Sequence, residues 1–280
     1  MKRDSKTKKI IYTAVSVVIL VIFLFPIYWM FITSFKSDAE VFANPPTFYP
    51  HKFDFSGYMA QMLVSGGTPL WRNFLNSFLI ASITTLISSG LAIFSAYGLA
   101  RFKFKCNKYI LFGVLVTQML PTVMFLAPLF IIFNKIGITD SLISPMVFVC
   151  IHSIPFSIIT LRPYYMNVPL ELEDAAIIDG CSQLMTFIRI IIPISYPGIV
   201  VASVFTFLWG WGDLMGPLTF VKTERLYPLT VNMYKAIGEY GIDWNSLMAF
   251  AVMLTVPVLI LFIALQKYLI SGITSGAVKG

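Results

Sequence analysis

Carboxylates that could bind a partner gather in one segment of the sequence, residues 167–193. A helix is predicted to begin there, because Pro169 suits the first helical turn, where its missing N–H is not needed. Three acidic residues follow where the positive end of the helix dipole stabilises a carboxylate: Glu171, Glu173 and Asp174. Gly180 is expected to end this helix and to allow a bend into a second helix from Ser182 onward.

One face of the predicted helix is small and suits close contact with another surface. Ala176 and Gly180 lie four residues apart on this face, with Leu172 one turn earlier. The alternative is a connecting helix that lies along the lipid headgroups. Anionic headgroups would repel the acidic first turn, so the sequence favours a protein partner.

Enzymatic and nucleic-acid-binding functions find little support in the residue pattern. The sequence has no Gly-x-x-x-x-Gly-Lys-Ser/Thr loop to cradle nucleotide phosphates. Its three cysteines, Cys106, Cys150 and Cys181, share no disulfide or metal-ligand spacing and are interpreted as free thiols. The net charge of +7 does not come from a basic face interleaved with aromatic residues, so no nucleic-acid partner is expected.

The elements that must position the acidic segment are predicted to be membrane helices. Of 280 residues, 58% are hydrophobic and 12% charged, whereas soluble domains carry about 25% charged residues. Apolar runs of about 20 residues can each cross a bilayer. Six such runs predict an all-α, polytopic membrane protein: Ile10–Ile32, Asn73–Ala100, Tyr109–Phe133, Leu142–Leu161, Tyr196–Phe220 and Leu247–Leu269. The first exceeds the apolar core of a signal peptide and ends in aromatic residues, so we expect it to be retained.

Basic residues divide unevenly between the two sides of this six-helix arrangement. Of the 20 Lys and Arg residues, 13 fall on the side of the N-terminus: Lys2, Arg3, Lys6, Lys8, Lys9, Arg101, Lys103, Lys105, Lys108, Arg162, Arg189, Lys267 and Lys279. The positive-inside rule then places both termini in the cytoplasm. The acidic segment, between the fourth and fifth helices, falls on the same side. Residues 35–72, rich in Pro and Gly, are expected to form a long extracytoplasmic loop.

The acidic segment also carries a longer pattern. Residues 174–180 read Asp-Ala-Ala-Ile-Ile-Asp-Gly, and nine residues later Ile-Ile-Ile-Pro follows at 190–193. This pattern resembles the signature loop of permease subunits in binding-protein-dependent ABC importers, which is Glu-Ala-Ala, then Asp and Gly, then nine residues and Ile-x-Leu-Pro. Asp174 stands where that family has Glu, and it is one methylene shorter.

Other stretches resemble the carbohydrate branch of that family, in particular the smaller six-helix permease of maltose-type heterodimers. They are Pro26-Ile27-Tyr28-Trp29, Ser34-Phe35-Lys36, Asn76-Ser77, the run 96–102, Gln118-Met119-Leu120-Pro121 and the tail 276–280. Where the family often has Trp-Asn-Asp or Trp-Asn-Glu, this chain has Trp211-Gly212-Asp213.

The resemblance implies a sugar-importing permease subunit in the bacterial cytoplasmic membrane, with neither enzymatic activity nor a cofactor of its own. Its implied partners are a second permease subunit, two ATPase subunits that bind ATP and Mg²⁺, an extracytoplasmic solute-binding protein and the lipid bilayer. The implied ATPase-coupling residues are Glu173, Asp174, Ala175, Ala176, Asp179, Gly180, Ile190 and Pro193.

The chain is accordingly divided into four parts. They are a basic cytoplasmic N-terminus (1–9), the first helix with its loop (10–72), a five-helix core (73–270) that includes the coupling segment 163–193, and a cytoplasmic tail (271–280). By resemblance the tail reaches the ATPase pair, and simple fraying is the alternative.

Ionisable groups inside a membrane are costly and mark functional hypotheses. The candidate substrate-pathway residues are Trp209, Trp211, Asp213, Gln118 and Asn76. An acid and indoles at this position could contact sugar hydroxyls and apolar ring faces. Equally, Asp213 suits a hydrated helix end. Gln118 and Asn76, like His152, are typical of hydrogen bonds between packed helices.

Three other functions compete with sugar import by an ABC permease. An ion-coupled secondary transporter would need internal repeats and buried ion ligands, and the sequence shows no duplicated halves. A membrane scaffold would have no need of an acidic docking helix. An ABC permease for a glycerol phosphate or a polyol would look much the same, and an outer side with seven basic and seven acidic residues gives no sign of an anionic substrate.

Overall fold

The computed structural model describes residues 6–62, 69–238 and 241–277. The first helices of this part of the chain are α1 (Lys6–Thr33), α2 (Asp38–Val41), α3 (Ser56–Met62), α4 (Leu70–Arg101), α5 (Asn107–Met119), α6 (Leu126–Ile136) and α7 (Ile143–Met166). They are followed by α8 (Leu170–Ile178), α9 (Gln183–Thr186), α10 (Ile192–Ile194), α11 (Tyr196–Gly212), α12 (Met215–Phe220), α13 (Leu229–Lys235) and α14 (Trp244–Ala277). Of the predicted termini, residues 1–5 and 278–280 lie outside the described part.

Five short elements complete the secondary structure of the described residues. Thr122–Phe125 and Glu224–Leu226 form 3-10 turns, and Phe187–Ile191 is a π-helical turn. The strands β1 (Ile237–Gly238) and β2 (Gly241–Ile242) pair antiparallel, with Ile237 opposite Ile242. This two-residue ladder is the one departure from the predicted all-α fold in the described part.

Four of the described helices are long and apolar enough to cross a membrane: Lys8–Thr33, Leu70–Arg101, Ile143–Met166 and Trp244–Tyr268. Two bent helix pairs meet the same criteria, so the count rises to six if each bent pair is one span. The prediction of a helical protein that crosses the membrane several times is therefore confirmed.

The third predicted span is wrong as a continuous helix. α5 ends at Met119, Leu120 is extended (φ −84°, ψ 129°), and the chain from Thr122 to Ile136 runs at 98° to α5. Pro121 explains the break, because proline lacks an N–H and disfavours helical backbone at the residue before it.

The fifth predicted span begins at Tyr196 as expected but ends early. α11 stops at Gly212, and Asp213 is extended (φ −67°, ψ 123°) before the short helix α12. Before the N-terminal end of α11, the segment Gln183–Ile194 makes an angle of 74° with this helix. The apolar run of residues 196–220 thus contains two helices.

Contacts between residues divide the described part of the chain into two units, and the first joins its residues up to Pro69 with those in the range Asn232–Thr255. In this unit Asn245 Nδ2 donates to the carbonyls of Ser34 (3.3 Å) and Lys36 (2.6 Å), which ties the start of α14 to the end of α1. The buried ammonium of Lys36 lies 4.7 Å from the ring of Trp29 and donates to the carbonyl of Thr47. The segment after α1 is therefore fixed to the end of that helix.

The second unit comprises Leu70–Val231 and the chain from Val256 onward, and α4, α7 and α11 form its centre. Small and hydroxyl-bearing residues let these helices approach closely. Hydrogen bonds between hydroxyl groups join them at Ser88–Ser153 (2.7 Å), Ser89–Ser203 (2.8 Å) and Ser157–Thr206 (3.3 Å). Such packing is typical of helices in a membrane. Lipid tails are as apolar as leucine side chains, so the hydrophobic effect does not drive the helices together.

Candidate functional site

The acidic segment forms the predicted pair of short helices. α8 begins after Pro169 and ends before Gly180, whose φ of 85° lies in the left-handed region that favours glycine. The amides of Gly180 and Cys181 donate to the carbonyls of Ile177 (3.0 Å) and Ala176 (2.9 Å), which completes a Schellman cap. Ser182 caps α9, since its hydroxyl accepts from the amide of Met185 at 3.3 Å.

Glu173 anchors α8 to α4. Its Oε1 lies 2.5 Å from Nε of Arg101, and its Oε2 accepts a hydrogen bond from the hydroxyl of Tyr97 at 2.8 Å. Arg101 also donates to the carbonyl of Val168 at 2.7 Å, just before α8 begins. The side chains of the ion pair are only 9% and 12% exposed, so solvent screens the attraction weakly.

Sequence reasoning missed Tyr97 and Arg101 as parts of this site. Both residues lie in the run 96–102 that resembles the carbohydrate branch of the permease family. The resemblance indicated that the run has a role, but it did not show that Tyr97 and Arg101 contact Glu173.

Aromatic packing fixes the far end of the segment. Phe187 is buried with its ring 4.3 Å from that of Tyr97 and 6.2 Å from that of Tyr165. Ile191 is fully buried in the same cluster, which α4 and α7 complete. The segment is thus held at Glu173 by polar contacts and at residues 187–191 by apolar ones.

The sequence predicted that Ala176 lies on an exposed face open to a partner. The structure contradicts this. Ala176 is 5% exposed and faces the bundle, because it is three residues from Glu173 and shares the anchored side of α8. Its small side chain instead lets α8 approach the bundle closely. The exposed residues of the segment include Leu170, Glu171, Leu172, Asp174, Ala175, Ile177, Ile178, Asp179, Gly180, Leu184, Met185, Ile188 and Arg189.

The remaining predicted coupling residues divide by exposure. Asp174, Ala175, Asp179, Gly180 and Pro193 are exposed, and Glu173 and Ile190 are partly buried. We name the exposed surface of α8 and α9 described above the docking surface.

A cavity of about 320 Å³ lies in the second unit, where both helix breaks meet α7. The break after α5 contributes Thr122, α7 contributes Phe148 and His152, and the end of α11 contributes Trp209 and Gly212. Asp213, in the second break, also lines the cavity.

Aromatic and acidic groups are neighbours in this cavity. The rings of Trp209 and His152 are 4.6 Å apart, and Phe156 packs on the indole at 4.7 Å. Asp213 Oδ1 accepts from the amide of Gly216 at 3.4 Å, whereas its Oδ2 has no hydrogen-bond partner among the described residues. His152, interpreted from the sequence as a helix-packing residue, therefore has its ring at the cavity.

Three of the five predicted pathway residues are not at the cavity. Trp211 is 3% exposed and packs against Phe74 and Phe207, with ring distances of 5.4 and 5.9 Å. Asn76 donates to the carbonyls of Arg225 (3.0 Å) and Tyr227 (3.2 Å). The side-chain amide of Gln118 likewise donates a hydrogen bond to the carbonyl of His152, at 3.0 Å. Both amides have the packing role that the sequence also allowed, and only Trp209 and Asp213 line the cavity.

Comparison with known proteins defines the class of this chain. Residues 88–275 match the family described as "Binding-protein-dependent transport system inner membrane component". The chain therefore belongs to this family of multi-pass transport subunits.

Relatives cover almost its whole length. The diacetylchitobiose uptake system permease protein DasC of Streptomyces coelicolor is 30% identical over 269 residues, which cover 95% of each chain. The trehalose/maltose transport system permease protein MalG of Thermococcus litoralis is 30% identical over 280 residues and 99% of each chain. A chain of a bacterial ABC transporter involved in the import of the acidic polysaccharide alginate has the same fold, with a TM-score of 0.73, 24% identity, and coverage of 96% of this chain and 99% of that one.

Proposed function

We propose that this protein is a permease subunit of a sugar importer in a bacterial cytoplasmic membrane, driven by ATP hydrolysis in partner chains. In the proposed complex it pairs with a second permease, two ATPases bind ATP and Mg²⁺ at its cytoplasmic face, and an extracytoplasmic binding protein delivers the substrate. The family and the carbohydrate permeases among its relatives support this function.

The observation that carries the proposal is the anchored docking surface. It exposes several large apolar side chains, among them Ile178, which is 85% exposed, and the carboxylates of Asp174 and Asp179 belong to the same surface. Exposed apolar patches of this kind mark protein interaction sites. The acidic rim suits a basic groove on the partner.

Force on this surface would reach the membrane helices through a short path. Glu173 connects α8 to Arg101 and Tyr97 near the end of α4, and Phe187 packs on Tyr97 and Tyr165. α4, α7 and α11 in turn form the centre of the unit that holds the cavity. Movement of an ATPase against α8 would therefore move the helices around the cavity as a packed group.

The transport function is tested in proteoliposomes that contain the complete complex, with maltose, trehalose and diacetylchitobiose as radiolabelled probes. We expect ATP-dependent uptake that requires the binding protein and continues when the proton gradient is collapsed. Uptake that stops with the proton gradient would contradict the proposal and would favour a secondary transporter.

The docking surface is tested by Ile178→Asp. Ile178 is the most exposed apolar side chain of the docking surface, so a charge in its place should abolish co-purification of the ATPase and uptake together. Phe42→Asp is the matched control, since Phe42 is 71% exposed on the segment that follows α1. Normal co-purification with Ile178→Asp would contradict the assignment of the surface.

Sidedness is tested by cysteine labelling. Two single-cysteine variants are compared. One keeps only Cys181, which is partly exposed, and the other carries Ser141→Cys as its one thiol, between α6 and α7. With a cytoplasmic docking surface, a membrane-impermeant maleimide added to intact cells should label residue 141 and spare residue 181. The reverse pattern would place the docking surface outside the cell and would overturn the proposal.

A further inference from the structure

The cavity beside Asp213 has features of a ligand site that the docking surface does not explain. Two breaks in predicted membrane spans, at Leu120 and at Asp213, fall at the same place. Each break leaves backbone N–H and C=O groups without helical partners, and such backbone is tolerated at membrane depth where it lines a cavity or is buried in protein. In secondary transporters, interrupted helices of this kind surround the substrate.

The size and lining of the cavity suit one sugar ring. About 320 Å³ falls in the range of roughly 300–1,000 Å³ that is typical of small-molecule sites. Trp209, Phe148 and Val149 supply apolar surface for the C–H faces of a pyranose, and Thr122, His152 and Asp213 supply hydrogen-bonding groups for its hydroxyls.

The charge of the lining selects among substrate classes. Among the described residues that line the cavity, Asp213 is the one carboxylate, His152 is the one imidazole, and neither Lys nor Arg is present. A phosphate or uronate group would enter without a cationic partner and would lie near Asp213. Burial of an unpaired anion is strongly unfavourable.

We infer that this cavity binds a neutral pyranose unit of the substrate during translocation and excludes anionic saccharides and glycerol phosphates. The inference rests on the proposed transport function and adds to it the substrate class and the residues of this subunit that contact the ring. Trp209 of α11 and Asp213 in the break after it are two of these contacts, and His152 of α7 and Thr122 after the break at Leu120 are the others.

Gly212 allows the cavity to be filled without damage to the fold. A Cβ atom added at Gly212 meets no heavy atom within 4 Å, so larger side chains have open space. The series Gly212→Ala, Gly212→Leu and Gly212→Trp would progressively fill the cavity. Gly113→Trp is the matched control, because a Cβ atom at Gly113 also meets no atom within 4 Å and Gly113 does not line the cavity.

The test measures uptake and ATP hydrolysis by the complete reconstituted complex. The neutral probes are maltose, trehalose and diacetylchitobiose, and the anionic probes are digalacturonate and glycerol 3-phosphate. We expect accumulation of at least one neutral probe and of neither anionic probe. The maximal uptake rate should fall with side-chain size at position 212, by about tenfold for Gly212→Trp, which corresponds to about 1.4 kcal/mol in the barrier. Hydrolysis stimulated by the binding protein should stay at the level of the Gly113→Trp control.

The outcomes separate this inference from the proposed function. Normal uptake by Gly212→Trp, or accumulation of an anionic probe by the unmodified complex, would overturn the inference and leave ATP-driven import intact. Absence of both uptake and stimulated hydrolysis in the unmodified complex would overturn the proposed function, and the inference with it.

Discussion

Glu173 of α8 and Arg101 of α4 form a largely buried ion pair, with 2.5 Å between Oε1 and Nε. The neighbouring acid, Asp174, is exposed although it occupies the position where the family signature has Glu. The two adjacent carboxylates therefore have different roles. Glu173 holds the docking surface to the bundle, and Asp174 is free to contact a partner.

Glu173→Gln should uncouple the docking surface from the membrane helices. Removal of one member of a largely buried ion pair leaves the other charge without compensation, so we expect a loss of about 2–3 kcal/mol in unfolding free energy, below the value for fully buried pairs. Thermal unfolding of the purified complex measures this loss, and uptake should fall with it.

Glu171→Gln is the matched control for that variant. Glu171 is exposed in the same first turn of α8, and its replacement should change unfolding by less than about 0.5 kcal/mol. A double-mutant cycle with Arg101→Gln should give a coupling energy of about 1–3 kcal/mol between positions 101 and 173. A coupling energy near zero would show that the pair does not anchor α8.

Gly180 should tolerate asparagine better than alanine. Gly180 has a φ of 85°, a conformation that destabilises a residue with a Cβ atom by about 1 kcal/mol. The destabilisation is smaller for asparagine, whose short polar side chain can form local hydrogen bonds in this conformation. Thermal unfolding of Gly180→Ala and Gly180→Asn measures the difference.

Gly180→Glu tests the partner rather than the backbone. The residue is exposed, with no heavy atom within 4 Å of a Cβ placed there, so a bulky acidic side chain would extend from the surface at which we propose that the ATPase docks. We expect the variant to insert in the membrane and to lose uptake, while Gly180→Asn keeps it. Equal uptake by the two variants would contradict a role of Gly180 in docking.

Gly210→Ala should separate α4 from α11. A Cβ atom at Gly210 would lie 2.9 Å from Cα of Ala81, which is backbone and cannot move aside easily. Overpacking of this kind costs about 1–3 kcal/mol. Gly212→Ala, two residues further along the same helix, meets open space and should leave the thermal midpoint unchanged. Equal thermal midpoints for Gly210→Ala and Gly212→Ala would mean that α4 and α11 move apart without loss of stability, and would contradict the prediction.

Asp140 should make stability depend on pH in the acidic range. Its carboxylate accepts hydrogen bonds from the hydroxyl of Thr223 (2.7 Å) and from the amides of Thr223 (2.7 Å) and Lys222 (2.8 Å), and these bonds lower the pKa of Asp140 below its ordinary value. The folded state thus favours the charged form. The stabilisation is complete above the unfolded pKa of about 3.9 and is lost as pH falls through the lower folded pKa.

Asp140→Asn should remove this contribution. We expect a loss of about 1 kcal/mol at neutral pH, since the site is exposed and partly screened, and no difference from the unmodified protein below the folded pKa. Asp38→Asn is the control, because Asp38 is also an exposed carboxylate and the hydrogen bonds from Lys222 and Thr223 go to Asp140 instead. A difference that persists unchanged into acid would rule out the carboxylate as the cause.

Local rules in the sequence were sufficient for the helical parts of this protein. Run length and hydropathy predicted membrane-spanning helices near four of the observed ones. Pro169, Gly180 and Ser182 correctly predicted where α8 begins and ends and where α9 begins. These features depend on residues within one or two turns of each other, so they can be inferred without knowledge of the rest of the chain.

The breaks at Leu120 and Asp213 were missed, although Pro121 was a visible sign of the first. Hydropathy is averaged over a window of residues, so one extended residue inside an apolar run does not change it. The two breaks also lie far apart in the sequence, and only the fold brings them to one cavity.

The sequence alone determined that this chain is a helical membrane protein with a two-helix acidic segment, because composition and caps act locally. Only the tertiary structure decided that Glu173 rather than Asp174 is anchored, that Ala176 is buried, and that His152 lies at the cavity with Trp209. Adjacent residues on a helix point in directions about 100° apart. Which of them meets a neighbouring helix depends on how that helix is rotated, and this is set by packing between distant parts of the chain.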